Sequence, residues 1–139
     1  QVSPAPGQPR RRRYGGQGNF WVSAPSDPAP FSLYDYNSTY LRPGIAYVAL
    51  RQILGPARFG QALQQIQRRY GGKTITEAQL EAEFQRWLPN RDAACTARLG
   101  QFFTQWFDTV YPPGGGAHRP QITGPGLNGQ GFCTAACPR

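Results

Sequence analysis

Few residues in this sequence are of types that do chemistry, and their spacing limits them further. His118 is the single histidine among 139 residues. The usual zinc cage of peptidases, two histidines one helical turn apart plus a third ligand, therefore has no counterpart here. The cysteines are Cys95, Cys133 and Cys137, and the last two are separated by three residues, too far apart for a CxxC motif. One histidine and three cysteines could hold one metal ion, but the interval from Cys95 to Cys133 fits no standard site. A disulfide is the stronger reading in an exported chain, and it leaves one cysteine free or bonded outside this chain. No G-x-S-x-G turn offers a serine nucleophile. Gly71-Gly72-Lys73-Thr74 ends like a phosphate-binding loop, but Gln67 stands where that loop needs its first glycine, and a helix precedes it instead of a strand. Glu77 and Glu81 lie near the start of a helix, where carboxylates favour the helix dipole. Those two, with Glu83, read as structural, and the other carboxylates as surface residues.

The elements that carry these residues are helical. Four helices are predicted between Tyr40 and Tyr111, at about 43–54, 56–70, 76–88 and 92–111, giving an all-α fold. Pro43 and Pro56 suit first turns, where a missing N–H is not needed, and Gly55 and Gly71-Gly72 suit helix ends. Phe59, Leu63, Ile66 and Tyr70 recur at helical spacing. Thr76-Glu77-Ala78-Gln79 is a capping-box pattern opening the third helix, which Pro89 ends. Leu80, Phe84, Trp87 and Leu88 form its apolar face. Asp92 caps the fourth. There Cys95, Leu99, Phe102, Phe103, Trp106, Phe107 and Val110 form one wide apolar stripe, the mark of a helix buried on most of its surface. Three short helices cover such a stripe only in part, which points to a neighbouring domain.

Around this helical domain (31–113) composition changes. Residues 1–30 are rich in Pro, Gly and Arg and read as an extended or disordered arm. Residues 114–139 form an irregular cysteine-containing tail, and a bond from Cys133 or Cys137 to Cys95 would staple it to the helices. The net charge is +8. Half of that excess falls in Arg10, Arg11, Arg12 and Arg13, a run that reads as a linker or processing site ahead of a nucleic-acid contact. Asn37-Ser38-Thr39 matches a glycosylation acceptor. The chain contains no methionine, so it reads as an internal segment of a longer precursor. It has no signal peptide of its own and no stretch apolar enough to span a membrane.

The stretch from Tyr40 through Arg42, Gly44 and Leu50-Arg51 to Gly55 resembles the region after the zinc site in aminopeptidase N-like zinc metallopeptidases, a gluzincin family. Phe59, Tyr70-Gly71-Gly72 and Thr74-Ile75-Thr76 continue the similarity, and Leu99-Gly100-Gln101-Phe102-Phe103-Thr104-Gln105-Trp106 resembles its closing "L-x-x-F-F-x-x-W". The resemblance covers roughly residues 20–113 and departs at Pro43, where the family has glycine. It implies a secreted hydrolase whose HExxH helix, glutamate ligand and zinc lie on upstream sequence. That upstream part would be the partner of this chain, with the odd cysteine as a tether, and peptides the substrate. Alone, the chain would be inactive. It also implies a role for Tyr40: its hydroxyl would stabilise the oxyanion formed when zinc-bound water attacks the peptide carbonyl. The structural alternative for Tyr40 is a packing aromatic beside Tyr34, Tyr36 and Tyr47. The alternative for the whole chain is a non-catalytic secreted binding module, using the aromatic face of the fourth helix or the Arg-rich arm.

Overall fold

The computed structural model of the protein describes residues 20–28, 33–111 and 120. Arg10–Arg13, His118, Cys133 and Cys137 lie outside them, and with them most of the expectations for both tails. The described chain is all-α. A π-helical turn, Tyr36–Leu41, runs directly into α1, Arg42–Leu54. It is followed by α2, Pro56–Tyr70, α3, Glu77–Gln85, and α4, Ala93–Phe103, which ends in a second π-helical turn, Thr104–Asp108. No helix among these residues is long and apolar enough to cross a membrane.

Local sequence accounts for most of the boundaries. Gly55, at φ +80°, both closes α1 and opens α2. Its N–H donates to the Arg51 carbonyl at 2.9 Å and its own carbonyl accepts from Phe59 N at 3.0 Å. Only a residue tolerant of positive φ links two helices so tightly. At α3 the capping box is complete, with Gln79 N–H donating to Thr76 Oγ1 at 3.2 Å and Thr76 N–H to Gln79 Oε1 at 2.9 Å. Asp92 caps α4 by accepting from Cys95 N–H at 2.8 Å.

Two helices end earlier than their apolar patterns predicted. α3 stops at Gln85, and Trp87 and Leu88 close it with tighter bonds to Phe84 and Gln85. Pro89 disfavours helical backbone at Leu88, so the last turn contracts. α4 gives way at Thr104 to the π turn, and Thr109 is extended. Val110 therefore leaves the apolar stripe and is exposed.

The stripe itself is covered by this chain alone. Leu99, Phe102, Phe103, Trp106 and Phe107 are all buried, so the fourth helix presents no aromatic face for a partner. Part of the cover comes from a short strap, residues 20–28, inside the region whose composition reads as an unfolded arm. Phe20 and Trp21 belong to the core. Ring contacts run without a break from Phe59 through Phe84, Phe103, Phe102 and Trp106 to Trp21 and Tyr111. The strap is fastened by Tyr111 N–H to the Trp21 carbonyl, 2.8 Å, and by Ser26 N–H and Oγ–H to the Phe107 carbonyl, 3.1 and 2.9 Å.

Candidate functional site

The π turn that leads into α1 carries Tyr40, and its geometry is set by its neighbours on either side. Asp35 caps the turn, its Oδ1 accepting from Ser38 N–H at 2.8 Å and Ser38 Oγ–H at 2.9 Å. Ser38 is buried. Four residues on, Arg42 is also completely buried, and its N–H donates to the Asn37 carbonyl to complete the π turn.

The Arg42 guanidinium is held by backbone carbonyls from three places. Nη1 donates to Ser23 O at 2.9 Å, and Nη2 to Gln105 O at 3.0 Å and Thr109 O at 2.6 Å. The ring of Trp21 lies 4.6 Å from its central carbon, giving the cation a π face as well. Desolvation pulls its pKa down to about 10, partly offset by Tyr111 and Asp108, so it remains charged at neutral pH. Nε has no partner. A buried cation is tolerated here because it meets carbonyl dipoles at the points where the strap, the second π turn and the extended exit from it converge.

With Ser38 and Arg42 both turned inward, Tyr40 points out. Residues two apart on a helical path lie on roughly opposite sides, and Tyr40 is 56% exposed. Its hydroxyl makes no hydrogen bond within the described residues. Tyr34 and Tyr36, at 81% and 68%, are exposed with it. Tyr47 is not one of this group: it packs against Phe59 and Phe84 at ring distances of 6.4 and 5.9 Å. Tyr40 is thus not a core aromatic, and among the described residues the exposed rings stand before α1 and not on α4.

Two further clusters of ionisable groups occur, neither visible in the sequence pattern. On α3, Glu77 is pushed up to about 7, first by burial, then by the charge and a hydrogen bond of Asp108, then by Glu81. Burial and Asp108 also raise Glu81. Gly100 makes room for this approach, since a Cβ there would stand 3.2 Å from Glu81 Oε1. On roughly the opposite side of α3 from Glu81, Glu83, read from the sequence as structural and 1% exposed, pairs with Arg69 Nη1 at 2.5 Å, with Arg86 at 4.0 Å. Its Oε2 is without a hydrogen-bond partner among the described residues.

Cys95 is fully buried and disulfide-bonded, so it does not titrate. The other cysteine of that bond lies outside the described residues. Among the described residues no group of three or more His, Cys, Asp or Glu side chains is placed to hold a metal ion. No protein-family model matches the chain, and no curated protein or solved structure matches it either.

Proposed function

We propose that this chain is the helical C-terminal part of the catalytic region of a secreted aminopeptidase N-like zinc metallopeptidase, and that it supplies Tyr40 to a zinc site carried on another part of the same protein. The observation that supports this most is the placement of Tyr40. A phenol with no hydrogen-bond partner among the described residues stands on the outer side of a helical turn whose inner side is fixed by Ser38 and Arg42. A donor that meets charge only in the transition state must be held still and left unpaired until then. Zinc would polarise the peptide carbonyl and activate water on the partner part, while this chain contributes the hydroxyl and the wall of helices behind it. Pairing of Cys95 with Cys133 or Cys137, the remaining cysteine being free to tether the two parts, belongs to the same proposal.

The test joins the chain to its zinc-bearing part and follows release of an N-terminal residue from an aminoacyl anilide. Hydrolysis requires both parts, and Tyr40→Phe lowers kcat by about 10²–10³-fold, the usual loss for one oxyanion donor, with KM little changed. Full activity in Tyr40→Phe sinks the assignment of Tyr40, and hydrolysis by this chain alone sinks the fragment reading.

A second reading is favoured by one observation. Leu33, Tyr34, Tyr36 and Tyr40 are all exposed in the segment just ahead of α1, as a protein-binding module would have them. Binding of a partner protein that is abolished by Tyr34→Ser and Tyr36→Ser, with no hydrolysis in any combination, would favour that module.

A further inference from the structure

The geometry points to Arg42 and Asp35 as a pair of positioning residues that set the direction of Tyr40 from opposite ends of the π turn. The inference rests on the proposed role of Tyr40 and deepens it. The two pins are different in kind. Asp35 holds the front of the turn through two bonds to Ser38, at 2.8 and 2.9 Å. Arg42 holds the back through three carbonyls that belong to parts of the chain far away in sequence. A lysine could not replace it: an ammonium on a flexible stem lacks the planar fork that reaches Ser23, Gln105 and Thr109 together. The consequence is a physical link from the strap and the second π turn to the tyrosine, although neither lies beside the hydroxyl in sequence. Among the described residues the Tyr40 hydroxyl has no hydrogen bond to fix it, so its direction is inherited from the backbone between the pins.

Fluorine NMR of the full chain labelled with 3-fluorotyrosine reads that direction without any need for activity. The chain has seven tyrosines, and the Tyr40 resonance is the one lost in Tyr40→Phe. In Arg42→Lys, and separately in Asp35→Ala, this resonance shifts or broadens while that of Tyr70 on α2 stays in place. An unmoved Tyr40 resonance in folded Arg42→Lys and Asp35→Ala overturns the inference. If Arg42→Lys does not fold, Asp35→Ala decides alone, because Asp35 lies outside the core. In the completed peptidase, Arg42→Lys lowers kcat by about 10²-fold, a loss typical of misplacement by an ångström, at nearly constant KM. The same substitution causes no further loss in a Tyr40→Phe background. Equal losses in both backgrounds make Arg42 a general stabilising residue and overturn the inference. Full activity of Tyr40→Phe, by contrast, removes the proposed role of Tyr40 and leaves the fluorine result to judge the pins.

Discussion

The guanidinium of Arg42 sits 4.6 Å from the ring of Trp21, so the most deeply buried charge among the described residues is roofed by a residue of the non-helical strap. Trp21 also contacts Trp106 and Tyr111, at ring distances of 5.2 and 5.4 Å.

Trp21→Ala is therefore expected to destabilise the chain by about 3–5 kcal/mol, the range for large aromatic truncations in a core, with Trp21→Phe losing less. Urea unfolding followed by far-UV circular dichroism measures both. A loss under about 1 kcal/mol, typical of surface positions, would mean that the strap is not part of the cooperative body.

Stability should depend on pH through Glu77. Its ordinary pKa of 4.5 rises to about 7 in the fold, so between those values the folded state keeps a proton that the unfolded state has given up. Stability then falls as pH rises from about 4.5 to about 7 and levels off above. Glu77→Gln removes the proton and with it this slope. Melting temperatures of the two proteins across that range should converge at low pH and separate at high pH, the variant being the more stable. Parallel curves would show that burial of Glu77 beside Asp108 does not couple its proton to folding.

The pair of Arg69 and Glu83 should respond unequally to loss of either partner. Arg69→Ala leaves a carboxylate that is 1% exposed with only Arg86 near it among the described cations, at 4.0 Å, and should lose about 1–3 kcal/mol, the usual penalty for a buried group left unpaired. Glu83→Met removes the buried charge and keeps the volume, a change that is often neutral or stabilising. Denaturation midpoints decide between them, and the reverse order would mean that water reaches Glu83.

The sequence carries the helices well where local chemistry fixes them. The bounds of α2 follow from Pro56 and Gly71-Gly72, and the starts of α3 and α4 from Thr76 with Gln79 and from Asp92. The two π turns were not legible, because a bond to the fifth residue back differs from a helical bond by a single residue and leaves no periodic trace. Nor were the roles of Arg42 and Glu83, since whether a charge is buried depends on which distant carbonyls or cations meet it. Trp21 was hidden for a related reason. Pro- and Gly-rich surroundings describe how freely a segment moves on its own, not whether one indole can anchor it. Tyr40 was singled out by resemblance alone; its outward orientation became visible only with Ser38 and Arg42 turned inward.

The bond between Trp21 O and Tyr111 N, 2.8 Å, has a mechanical consequence. Chain enters and leaves the helical body side by side, so once the Cys95 disulfide is reduced, tension applied to the segments flanking this fastening pulls directly on it instead of being shared along the helices. The hydrogen bonds and the indole at that edge must give way first, and they open like a zip, one after another. What a pulling or translocating machine would feel is the strength of the strap, while the aromatic interior stays unloaded until the strap has gone.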